Sequence, residues 1–212
     1  MKIDKFIELR IAFLFEDKIA NRSVSLAKKI AGNSKTYFVI DNLKYIPHVT
    51  IYNTDFPKKD LNELFKEAKL IASKYNIYNV TYKNVFNLES WIGIKFIKTK
   101  QLFDIRNEIV KKLNQLRENH IPDKYLENWS KFSEYEKKKI KKYGYVNANS
   151  EYFPHLSLLR LEGNESIALN RFQDFAKKEF KGANLLYLAI TETAEHGVVT
   201  KILRKYKLNK KI

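Results

Sequence analysis

Two short segments of the chain repeat each other, Tyr45-Ile-Pro-His-Val-Thr-Ile51 and Tyr152-Phe-Pro-His-Leu-Ser-Leu158. Each carries a Tyr, then Pro-His, then a hydroxyl two residues after the His. Only 4 His and 4 Pro occur in 212 residues, and half of each fall in these repeats, so chance accounts poorly for the match. Two imidazoles and two hydroxyls brought together suit phosphoryl transfer without a metal. One His takes a proton while the other gives one, and the hydroxyls hold phosphate oxygens. The bland alternative is a pair of unrelated strands with hydrogen-bonded core histidines.

The elements that must position these groups are legible around them. The order His-apolar-hydroxyl-apolar is the period-two pattern of a strand buried on one side. Residues two apart share a face, so His48 projects with Thr50, and His155 with Ser157. Tyr52 shares that parity and is the expected base-stacking aromatic. A first strand is expected over Ile7–Phe15, helices over 17–31, 59–73, 101–119 and 165–180, strands at 38–40, 80–86 and 91–97, and a closing hairpin over 185–207. In the segment 123–144, Ser133 and Glu136 have capping-box spacing and Gly144 is placed to end the helix. The same segment holds Lys137-Lys-Lys-Ile-Lys-Lys142. By default such a run is a solvated helical face; the alternative is a basic arm on nucleic-acid backbone.

Composition narrows the classes further. Hydrophobic residues make up 44% and aromatics 14% of the chain, enough for a packed core. With no Cys, disulfides, thiolate catalysis and Cys-based metal sites are excluded. Glu8 and Arg10 interrupt the apolar N-terminal stretch, so no secretory signal is read, and no apolar run is long enough for a bilayer. A cytoplasmic protein with no membrane contact is expected. The formal net charge of +16 favours polyanion partners, nucleic acid first. Trp91, in a hairpin, reads as core, while His120 and His196 read as surface residues. No phosphate-cradling Gly-rich loop and no His-x-x-x-His pair appears.

The paired Pro-His-x-[Ser/Thr] strands resemble the signature of the 2H phosphoesterase superfamily, whose best-known branch holds the 2′-5′ RNA ligases and cyclic phosphodiesterases. The likeness extends to the opening strand Arg10-Ile-Ala-Phe-Leu14 and the terminal hairpin ending in Tyr206-Lys-Leu208. It implies an α+β fold of two pseudo-symmetric lobes, each an antiparallel sheet with outer helices, facing a central cleft. Lobe one would occupy about 1–98 with His48 and lobe two about 148–212 with His155, joined by helices and a basic insertion over 99–147.

The resemblance makes His48 and His155 the acid–base pair, in an order that pseudo-symmetry leaves open, and Thr50 and Ser157 the phosphate ligands. Arg160 resembles an arginine often found in the RNA ligase-like branch, which makes it a third expected phosphate ligand. Strict alternation puts it on the face opposite His155, so either the strand bulges or ends, or Arg160 is structural. The continuation Tyr52-Asn-Thr54 differs from the Phe-then-Gly common in that branch, and the motifs are further apart than in a compact member. The implied activity is a metal-independent phosphodiesterase or phosphotransferase acting on RNA 2′,3′-cyclic phosphate ends or 2′-5′ linkages. It would need no cofactor and no obligate protein partner, and would work as a monomer. Two alternatives stand beside it: hydrolysis of a small nucleotide signal, and a non-catalytic RNA-binding protein of the same fold.

Overall fold

The computed structural model describes residues 5–148, 152–163 and 167–209. Two antiparallel sheets carry the strands. The first has the order β3-β1-β8-β4, with β9 continuing the edge of β8 beside β4. Its strands are β1 (Phe6–Phe15), β3 (His48–Pro57), β4 (Tyr78–Val80), β8 (Ala183–Thr193) and β9 (Val199–Lys207). The second has the order β2-β7-β6-β5, from β2 (Thr36–Val39), β5 (Tyr82–Leu88), β6 (Trp91–Phe96) and β7 (His155–Leu161). The continuous apolar run Ile11–Phe15 makes β1 a central strand, buried along that stretch and paired on both edges, with β3 and β8.

Amphipathic helices cover the sheets. On α1 (Asp17–Ala31) the buried stripe includes Ile19, Leu26, Ala27 and Ile30, and this helix packs on β2 and β7. The stripe Leu64, Ala68, Ile71, Ala72 of α2 (Leu61–Lys74) lies against β8 and β9. α3 (Lys100–Leu113) is capped by Thr99, whose hydroxyl accepts from the Leu102 N–H, and it packs on α2 and β3. α6 (Asn170–Glu179) lies against β5; the start of the helix expected over 165–180 falls outside the described residues.

The two-sheet α+β architecture is the one expected, but its lobes are not consecutive stretches of chain. The closing hairpin β8–β9 joins β1 and β3, while β5 and β6 join β7. Each sheet therefore holds one motif strand and strands from both halves of the sequence, which replaces the division at 98 and 148. The physical reason is edge pairing: β1 has a second edge that only β8 satisfies. The strand expected over 80–86 is likewise two strands, because the chain crosses from β4 in one sheet to β5 in the other at Thr81.

The inserted segment forms α4 (Asp123–Leu126) and α5 (Glu134–Tyr143). The capping box at Ser133 and Glu136 is present, and the helix ends at Gly144 in the left-handed region. Buried Arg117 ties α5 down by donating to Asn114 Oδ1 at 2.8 Å and to the Lys141 carbonyl at 2.5 Å. Of the lysine run, Lys139 is buried with its ammonium over the Tyr135 ring, and Lys137 pairs with Glu134. Lys138, Lys141 and Lys142 remain on the exposed face.

Candidate active site

A cleft of about 490 Å³ is lined from both sheets, by Arg10, His48 and Thr50 on one side and by Phe86, Trp91, His155 and Ser157 on the other. His48 and His155 are the first residues of β3 and β7. Before each stands a proline, which holds the residue ahead of it in extended backbone. The carbonyls of those residues accept from the rings: Nδ1 of His48 donates to Ile46 O at 2.9 Å, and Nδ1 of His155 to Phe153 O at 2.7 Å. Both imidazoles are thereby fixed with Nε2 as the basic nitrogen. The repeated Pro-His pair is thus a device for aiming an imidazole, and Thr50 and Ser157 follow it into the same cleft.

Electrostatics separate the two rings. Nη1 of Arg10 lies 3.1 Å from Nε2 of His48, and since a guanidinium only donates, the contact requires a neutral imidazole. Burial first, and then the Arg10 charge, push the His48 pKa down to about 3. His155 is also lowered, mainly by burial, with Arg10 as a weaker influence. Sequence reasoning missed Arg10 as a site residue. Its only signal was a cation that, with Glu8, interrupts an otherwise apolar strand.

Both motif strands bulge at the same place, directly after the hydroxyl. Along β3, Thr50 and Tyr52 oppose the consecutive residues Ala12 and Ile11, leaving Ile51 as the extra residue. Along β7, Ser157 and Leu159 oppose Gly93 and Ile92, leaving Leu158 extra. A bulge inverts the alternation beyond it, which decides two residues. Tyr52 turns away from the cleft, fully buried, with its hydroxyl bonded to Asn114 Oδ1 at 2.9 Å and to the Tyr143 carbonyl. It anchors the insertion, and its expected base-stacking role is corrected accordingly.

Arg160 is brought round to the His155 side. It stands opposite Trp91 with its guanidinium 5.2 Å from the Tyr37 ring and 5.1 Å from the Trp91 ring, and its Nη1 lies 2.5 Å from Nδ1 of His196. Rather than lining the cleft itself, it meets it through His196 and Trp91, both lining residues. His196 therefore belongs to the cleft and not to open surface, and Trp91, which packs against the core, also forms part of the cleft wall.

The aromatics that do face the cleft cluster beside His155. Phe153 and Phe86 meet edge to face at 5.1 Å, and the Phe153 ring lies 5.0 Å from the His155 ring. Gly93 makes room for Phe86: a Cβ there would stand 2.6 Å from the Leu156 carbonyl and 2.9 Å from the Phe86 ring. Among the described residues, no three His, Cys, Asp or Glu side chains gather as a metal site would require. No described helix is long and apolar enough to cross a membrane.

No family model and no curated protein matches the sequence. Solved structures do match its fold, over nearly the whole chain. TT0787 of Thermus thermophilus superposes with a TM-score of 0.61 at 11% identity, covering 97% of this chain and 100% of that one. E. coli LigT in apo form gives a TM-score of 0.57 at 11% identity, covering 98% and 100%. LigT complexed with 3′-AMP gives 0.54 at 12% identity, again covering 98% and 100%. The two-sheet architecture inferred from the paired motifs is the fold these proteins share.

Proposed function

We propose that the protein is a metal-independent phosphodiesterase or phosphotransferase of the 2H type, acting on RNA 2′,3′-cyclic phosphate ends or 2′-5′ linkages. The observation that carries this reading is the matched pair of imidazoles. One comes from each sheet, each locked by Nδ1–H to the carbonyl two residues before it, and each is followed by a hydroxyl into one cleft. The fold shared with LigT, which was solved with phosphate and with 3′-AMP, agrees with it.

For a cyclic phosphate, water attacks phosphorus, His48 Nε2 takes its proton, and His155 protonates the ribose oxygen as the P–O bond breaks. The products are a phosphomonoester and a free ribose hydroxyl. His48 suits the base because Arg10 disfavours its protonation; the incoming phosphate offers Arg10 another acceptor and frees Nε2. Thr50 and Ser157 hydrogen-bond the non-bridging oxygens, where charge develops. With a ribose hydroxyl attacking in place of water, the same base and the same acid join two ends as the cyclic P–O bond breaks. Phe86 and Phe153 give a base a stacking surface beside His155.

The cleft volume also favours a second reading, a small nucleotide signal as substrate, since about 490 Å³ is the size of a small-molecule pocket. A panel of cyclic-phosphate RNA ends, 2′-5′ and 3′-5′ dinucleotides and cyclic dinucleotides separates the two, assayed with and without EDTA. Turnover of the cyclic-phosphate ends and the 2′-5′ dinucleotides, unchanged by chelation, is expected. Selective turnover of cyclic dinucleotides moves the assignment to the second reading, and a need for a divalent ion overturns the mechanism.

A further inference from the structure

The β8–β9 hairpin turn, Glu195-His196-Gly197, is built far more tightly than a solvent loop requires. It grips an arginine from each sheet. The Gly197 carbonyl accepts from Arg10 Nη1, and His196 Nδ1 accepts from Arg160 Nη1 at 2.5 Å. His196 sits in left-handed backbone (φ 60°, ψ 17°), a conformation a non-glycine residue adopts at a cost. Gly197 follows with φ 62°, and a Cβ on it would lie 2.9 Å from Arg10 Nη2. Tyr37 closes the other side, its ring 4.6 Å from that of His196.

A hairpin that only had to turn would need none of these contacts. Their net effect is to hold one imidazole still on the wall of the cleft. With Nδ1 occupied as an acceptor from Arg160, the neutral ring carries its proton on Nε2. That tautomer is the reverse of His48 and His155, which donate through Nδ1. In their neutral forms the cleft therefore contains two imidazoles with a bare Nε2 and one with a protonated Nε2.

We infer that His196 is a third substrate-binding imidazole, whose Nε2–H hydrogen-bonds an anionic phosphate oxygen while Arg160 fixes its ring. This rests on the reading of the cleft as a phosphoester site. Arg160 then acts on the phosphate through His196 as a positioning residue, which accounts for its place outside the lining.

The chain has four histidines, so all four rings can be followed by long-range ¹H–¹⁵N spectra of ¹⁵N-histidine protein. His120, paired with Asp55 and stacked on Phe6, is the control outside the cleft. Without ligand, His196 is expected as the Nε2–H tautomer and His48 and His155 as Nδ1–H. Added inorganic phosphate should shift His48, His155 and His196 with one common Kd and leave His120 in place. His196→Gly, which keeps the left-handed backbone, should raise that Kd about tenfold, the loss of one good hydrogen bond to an ion. A His196 found as Nδ1–H, unmoved by phosphate, or dispensable for its binding overturns the inference. If His48 and His155 still respond, the phosphoester reading survives that failure; if none of the three responds, both fall.

Discussion

The strands β3 and β7 carry the same motif, aim their imidazoles by the same carbonyl contact, and bulge at the same position, yet they present different chemistry. On β3, His48 meets a guanidinium from the neighbouring strand β1; on β7, His155 meets two phenylalanine rings. Five residues past each His the contrast repeats. Asn53 bonds to Glu8 at 2.8 Å, whereas Arg160 lies between two rings and holds His196. The repeat supplies geometry, and the strands alongside it supply difference. Equivalent histidines become unequal because β1 brings a cation to one while β6, by way of Gly93, admits the Phe86 ring to the other.

The largest effect expected is from breaking the pair. His48→Ala and His155→Ala should each lower kcat by about 10²–10⁴-fold, the usual worth of a general acid or base. The double variant should fall little further, since acid and base serve one transfer. Single-turnover rates on a cyclic mononucleotide measure this, and multiplicative losses would show the two strands working separately.

The next effect sharpens the asymmetry. Phe86→Ala and Phe153→Ala should weaken nucleotide binding by about 1–3 kcal/mol per stacked base while leaving inorganic phosphate affinity unchanged. Tyr52→Phe should leave both affinities unchanged, because its hydroxyl bonds the insertion and not the cleft. Equal loss of phosphate and nucleotide affinity in the Phe variants would show the rings to be packing only.

These contrasts also mark what the sequence could and could not show. The motif pair, its shared face and the capping box ending at Gly144 are local patterns, and local patterns are readable. The bulges at Ile51 and Leu158 are not, because no Gly or Pro announces them and they exist only against a partner strand. One inverted parity on each strand moved Tyr52 out of the site and Arg160 toward it. The exchange of strands between sheets is a matter of distant pairing, which no window of sequence contains. His196 became a cleft residue only when β8–β9 folded against Arg160 and Tyr37.

A smaller effect concerns stability. His48 is held neutral in the fold, its pKa lowered from 6.5 to about 3, so protonation favours the unfolded chain. Its stabilising contribution is whole above pH 6.5 and is lost as the pH falls toward 3. The Tm should therefore drop across that window, and less steeply in His48→Asn. An equal slope in the variant would assign the drop to other groups.

The central claim is that one cleft holds two matched imidazoles in different roles, His48 as base and His155 as acid, with Arg10 making the difference. The pH dependence of kcat/KM on a cyclic mononucleotide, for the native protein and Arg10→Gln, tests it most directly. Since kcat/KM reports the free enzyme, the native profile should lose activity on a basic limb below the ordinary histidine value of 6.5, set by the lowered His155. Its acidic limb should lie far lower, set by His48. Removing the Arg10 charge should raise the acidic limb, though burial still holds it below 6.5, and move the basic limb less. An acidic limb that stays in place while the basic limb moves would reverse the two roles, and a profile without limbs would contradict the paired mechanism itself.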